Sequence, residues 1–138
     1  MQMANTKLTK EALAKALKEL LHERPLDKIS VKDITEHCGM SRNNFYYHFQ
    51  DKYELISWIF YDDISKKVET YADSSKFLED SFTSVCECLY NEREFYLKCF
   101  KYVEQNSLFD VLTELYMELW TKTLRERYAN SGLDLSEE

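Results

Sequence analysis

The chain has 138 residues, of which 44% are apolar and 14% aromatic, a mixture that supports a buried core and a folded rather than a disordered chain. Two glycines and one proline are too few turn formers for a sandwich or barrel, which leaves an all-α fold. The net charge of −7 is an average over unequal halves: residues 1–60 hold nine Lys and Arg against eight acids, and residues 61–138 hold nine against seventeen.

In chain order, residues 1–7 read as a loose tail. Thr9 is placed to cap a first helix, and Leu13, Ala16, Leu17, Leu20 and Leu21 recur at spacings of three and four along about 15 residues that end before Pro25. Leu26 to Ile29 reads as a connector. Ser30, three residues before Asp33, predicts a capped second helix with Val31, Ile34 and Cys38 on one face. Gly39 suits a positive φ and lets the chain turn sharply. Ser41 then caps a third helix in which Phe45 and Phe49, four apart, share the inward face. Two short helices joined by a glycine turn form a helix-turn-helix, with Leu17, Ile34, Phe45 and Phe49 as its core.

Asp51 and Glu54 predict the start of a fourth helix that runs to about residue 70, apolar over more than one stripe and therefore in contact with two neighbours. Residues 72–76 read as a connector. A fifth helix carries Phe77, Leu78, Phe82, Val85, Cys86 and Leu89, and a sixth carries Phe95, Leu97, Phe100 and Tyr102. The set Leu108, Val111, Leu112, Leu115, Tyr116, Leu119 and Leu124 predicts a seventh, ending near Tyr128 ahead of Gly132. This divides the chain into residues 1–50, a helix-turn-helix unit, and residues 51–138, a second helical unit, with helix 52–70 between them.

DNA reading needs a helix pinned by its apolar side while its first residues enter the major groove. Arg42 can pair with guanine or clamp a phosphate, and Asn43 or Asn44 can pair with adenine. Tyr46, Tyr47 and His48 supply phosphate-reaching donors, Ser30 and Lys32 offer an amide end and a cation, and Lys52 opens the fourth helix near the same edge. Ser41, as the cap, sets the helix start.

The pattern Gly39-x-Ser41-x-x-x-Phe45-Tyr46-x-His48-Phe49-x-x-Lys52-x-x-Leu55, preceded by Ile29-x-Val31-x-x-Ile34, resembles the N-terminal domain of the TetR family of bacterial transcriptional regulators over residues 9–60. Trp58-Ile59-Phe60 resembles, more weakly, a subgroup that regulates dihydroxyacetone kinase operons. The resemblance implies a three-helix DNA-binding domain, a long fourth helix, an all-helical C-terminal domain, and a homodimer on a palindromic operator in double-stranded DNA. It implies a repressor released by a small molecule, or, as in part of that subgroup, an activator working through a protein partner. Members of the family continue for two further helices beyond the seventh, so the run from Gly132 to Glu138 reads as the cap of a helix that does not follow, and the chain as a shortened one.

The aromatics of the second half exceed what a small core needs. Trp58, Tyr61, Phe82, Phe100, Tyr116 and Trp120 are candidates for a pocket holding a small apolar or aromatic effector. Core packing with an exposed surface for a second subunit accounts for the same residues. An interaction module working through the acidic, aromatic-rich half is the alternative to DNA reading. Asp62 and Asp63 read as a solvated face, and His22 and His37 as surface histidines.

The four cysteines lack ligand spacing and suggest reduced thiols in a cytoplasmic protein, with no metal and no cofactor. No stretch has the length of a membrane span or the layout of a secretory leader. No catalytic motif marks an enzyme.

Overall fold

The computed structural model describes residues 2–71, 76–100 and 108–129, and among them seven α-helices follow one another without a strand. They are α1 (Gln2–Glu23), α2 (Val31–His37), α3 (Arg42–His48), α4 (Lys52–Thr70), α5 (Phe77–Asn91), α6 (Arg93–Phe100) and α7 (Leu108–Ala129), with a 3-10 turn at Leu26–Lys28. Of the expected connector at 72–76 only Lys76 is described. Tyr102, the Gly132 to Glu138 run, and the side chains of Leu78, Leu108, Phe109, Val111, Leu112, Leu115 and Leu119 lie outside the described residues.

The apolar stripe of α1 behaves as its spacing predicts: Leu13, Leu17 and Leu21 are fully buried, with Ala16 and Leu20 beside them. The expected start is corrected. Helix α1 already begins at Gln2, so residues 2–7 are helical rather than a tail. The Thr9 hydroxyl donates to the Asn5 carbonyl at 2.9 Å instead of capping, a back-bond that lets threonine sit inside a helix.

The two-stripe pattern of α4 resolves as predicted. Leu55, Ile56, Ile59, Phe60, Ile64 and Val68 are buried, and the helix packs against α1, α5 and α7. Asp51 caps it by accepting from the Tyr53 and Glu54 amides at 2.8 and 2.9 Å, while Glu54 accepts from the Gln50 amide. One buried cluster runs without a break from Leu13 to Cys99, so the two halves share a core. Cys99 lies inside it, where burial pushes the thiol up to about 12.

Polar contacts tie α1 to the second half. Lys18 donates to Asp63 at 3.0 Å, the Tyr96 hydroxyl donates to the same carboxylate at 2.9 Å, and Lys98 donates to the Leu21 carbonyl at 2.6 Å. The reading of Asp62 and Asp63 as a solvated face is therefore corrected: Asp62 pairs with Lys66 and Asp63 joins α1, α4 and α6. His22 and His37 stay near the surface, facing Glu94 at 3.7 Å and Glu19 at 2.7 Å. Among the described residues no helix is long and apolar enough to cross a membrane.

Candidate nucleic-acid interface

Helix α2 starts on a reciprocal cap. The Ser30 hydroxyl accepts from the Asp33 amide at 3.2 Å, and the Asp33 carboxylate accepts from the Ser30 amide at 2.8 Å. The Ser30 hydroxyl and amide, with Arg24 at 3.4 Å, hold the Asp33 carboxyl below its ordinary range. At the other end Cys38 closes α2, its thiol donating to the Ile34 carbonyl at 3.3 Å.

Gly39 then takes φ +69°, and the Met40 amide donates to the Thr35 carbonyl at 2.8 Å, which reverses the chain onto the buried Thr35. A Cβ built at Gly39 meets nothing within 4 Å. The demand for glycine is thus one of backbone conformation alone, and Gly39→Ala should cost about 1–2 kcal/mol of stability. A thermal melt matching wild type would show that the turn does not hold this φ.

Ser41 caps α3, its hydroxyl accepting from the Asn44 amide at 3.2 Å. Phe45 is fully buried and Phe49 nearly so, their rings 5.8 Å apart, and Ile34 and Leu17 pack into the same core. Pinning one side leaves the other in solvent. Arg42, Asn43, Asn44, Tyr46 and Tyr47 are exposed and His48 is half-buried. Tyr47 is 80% exposed, an unusual state for a large aromatic with no partner to cover it.

The outward residues fall on two flanks. Arg42 lies over the Tyr46 ring at 6.0 Å on one, and Asn44, Tyr47 and His48 share the other, with the Tyr47 and His48 rings edge to face at 4.9 Å. Burial, and secondarily the nearby Lys10 ammonium, holds His48 below the ordinary imidazole range. Lys32 is exposed at the start of α2, 3.6 Å from Glu36.

Lys52 departs from the expected arrangement. Its ammonium donates to the Leu26 and Ile29 carbonyls at 2.7 and 2.8 Å, closing the 3-10 turn onto α4, and burial lowers its basicity. It therefore braces the unit, with one N–H left for any outside acceptor.

The six aromatics expected to line an effector pocket do not converge, which corrects that expectation. Trp58 packs on Phe49 and under Lys10, on the helix-turn-helix side. Tyr61, Phe82 and Phe100 are exposed. Tyr116 stacks on Trp120 at 6.4 Å, and Trp120 meets Phe77 at 5.6 Å, joining α5 to α7. Trp58 and Trp120 pack between helices, Tyr116 stacks within α7 and the other three rings are exposed, so the excess of aromatics becomes interhelical packing and exposed surface.

Sequence reasoning missed Lys7 and Lys10. Lys7 falls in the stretch read as a tail and Lys10 directly after the expected cap at Thr9, whereas α1 carries both to the flank of α3 that bears Asn44, Tyr47 and His48. Their spacing of three, which puts two cations on one helical face, was the available signal.

Comparison with known proteins agrees with this geometry. Residues 13–57 match the model of the bacterial regulatory proteins of the tetR family. The HTH-type dhaKLM operon transcriptional activator DhaS of Lactococcus lactis subsp. lactis (strain IL1403) is 34% identical over 73 residues, which cover 53% of this chain and 39% of that protein. The match therefore spans well under half the length of that curated relative. A solved structure, the dihydroxyacetone kinase operon activator DhaS, superposes with a TM-score of 0.63 at 27% identity, covering 94% of this chain and 71% of that one. The family is one of regulators rather than enzymes. The capped, phenylalanine-pinned helix-turn-helix of residues 13–57 is thus similar to that of the tetR-family bacterial regulators, and the chain carrying it is similar to the activator DhaS.

Proposed function

We propose that this protein is a sequence-specific DNA-binding transcription regulator that binds a palindromic operator as a homodimer. The observation that carries this reading is α3 itself: Phe45 and Phe49 are buried while Arg42, Asn43, Asn44, Tyr46 and Tyr47 face outward from a seven-residue helix. Core packing alone asks for none of those outward residues. In this reading Arg42 and Asn43 meet base edges, and Asn44, Tyr46, Tyr47, His48 and Lys32 reach phosphates or base edges at the rim. Ser30 and Ser41 hold the two helix starts, and Lys52 fixes the approach of α4. Residues 1–50 read DNA and residues 51–138 regulate and dimerise.

One seven-residue helix touches only a few base pairs, so useful affinity requires two copies, and the symmetry of the pair dictates a palindromic site. Relatives named as operon activators favour activation over repression, and we read that activation as working through a protein partner. The exposed Phe82, Tyr90, Leu97, Phe100 and Met117 give such a partner, or the second copy, an apolar surface in the acidic half. Selection of bound sequences from a random duplex library should enrich a palindrome with half-sites about one helical turn apart. Recovery of unenriched sequence would leave the chain an interaction module and refute DNA reading.

A further inference from the structure

Beside α3 lies an open groove of ≈ 800 Å³ whose walls include Thr6, Lys7 and Lys10 from α1 and Asn44, Tyr47 and His48 from α3. We infer that this groove is a second DNA contact, a cradle in which Lys7 and Lys10 grip the phosphodiester backbone along one edge of the major groove that α3 enters. The inference rests on the proposed DNA reading and adds to it two cations from α1.

Four features carry it. Lys7 is exposed, and neither it nor Lys10 has a carboxylate partner among the described residues, whereas Lys15, Lys18, Lys32, Lys66 and Lys98 each pair with one. The Lys10 ammonium is held in place, 5.4 Å from the centre of the Phe49 ring and 5.7 Å from that of Trp58, so its position is set by the same core that pins α3. The α3 wall offers an amide, a phenol and an imidazole, all able to donate to phosphate oxygens. The carboxylate in the groove, Asp62, is already neutralised by Lys66. Geometry agrees: a helix lying in the major groove has a phosphate ridge on either side. The flank bearing Asn44, Tyr47 and His48 faces one of those ridges, and α1 stands next to that flank.

The test uses the full chain and a fluorescein-labelled duplex of mixed sequence, with affinity followed by anisotropy from 50 to 300 mM salt. Each phosphate contact contributes about 0.9 to the slope of log affinity against log salt, so Lys7→Gln should flatten it by about 0.9 and Lys7→Gln/Lys10→Gln by about 1.8. At 0.1 M salt the double variant should bind roughly 50-fold more weakly. Lys15→Gln, at an exposed α1 position paired with Glu19 at 3.9 Å, should leave the slope unchanged. Because Lys10 touches the core, the Lys7 variant carries the test if the double variant melts early. Wild-type binding with an unaltered slope in Lys7→Gln overturns the cradle and leaves the proposed function standing. Absence of duplex binding by the wild type overturns both.

Discussion

Phe45→Ala should lower stability by about 3–5 kcal/mol, the cost of removing a phenyl ring from a packed core and leaving a cavity. Phe45 is fully buried, and its ring meets Tyr46 at 5.5 Å and Phe49 at 5.8 Å. Through Phe49 it reaches Trp58 on α4, so the loss spreads beyond α3. The buried cluster is continuous from Leu13 to Cys99, and the melt should therefore shift as a single transition, by about 10–20 °C at a fixed chain concentration. Phe82→Ala supplies the control. At 60% exposure that ring should change stability by no more than about 0.5 kcal/mol in the absence of a partner. A Phe45→Ala protein that melts with the wild type would mean that α3 is not pinned as described, and the outward aim of Arg42 would lose its support.

The contrast between those two phenylalanines shows which parts of the molecule could be read from its residues. Capping is local chemistry within four positions, so Ser30 with Asp33, Ser41, and Asp51 with Glu54 were all legible before any coordinates. The positive φ of Gly39 was legible for the same reason. The inward pair Phe45 and Phe49 followed from a spacing of four.

What could not be read depends on neighbours distant in the chain. The first turns of α1 carry no apolar stripe, so nothing before Thr9 distinguished helix from tail, and the cations at Lys7 and Lys10 were lost with them. Lys52 looked like a free cation because the Leu26 and Ile29 carbonyls that bind it lie more than twenty residues earlier. Asp63 looked solvated because its partners, Lys18 and Tyr96, sit on two other helices. The six aromatics were summed as a pocket because composition counts rings and does not say that Phe82 faces solvent while Trp120 closes α5 onto α7. The placement of the candidate residues was legible where one short helix carries them and illegible where two elements must meet.

Arg42→Ala should weaken binding to the selected operator by about tenfold or more while leaving the melting temperature close to wild type. The side chain is exposed, pairs with no carboxylate among the described residues, and lies over the Tyr46 ring at 6.0 Å, so its removal costs the fold little. A bidentate arginine on guanine is worth about 1–3 kcal/mol of discrimination, which corresponds to roughly 5- to 150-fold per half-site. Phosphate clamping gives a different signature. If Arg42 reads a base, Arg42→Lys should keep most of the salt dependence and lose selectivity at one symmetric position of the operator, because an ammonium carries the charge without the planar fork. If it only clamps phosphate, Arg42→Lys should bind nearly as wild type at every sequence, and Arg42→Ala should flatten the salt slope by about 0.9 without changing preference. Anisotropy on the selected operator and on single-position variants, at one salt concentration and then across a series, separates the two. Unchanged operator affinity in Arg42→Ala would remove the residue from the interface, and with it the strongest base-reading donor that α3 presents.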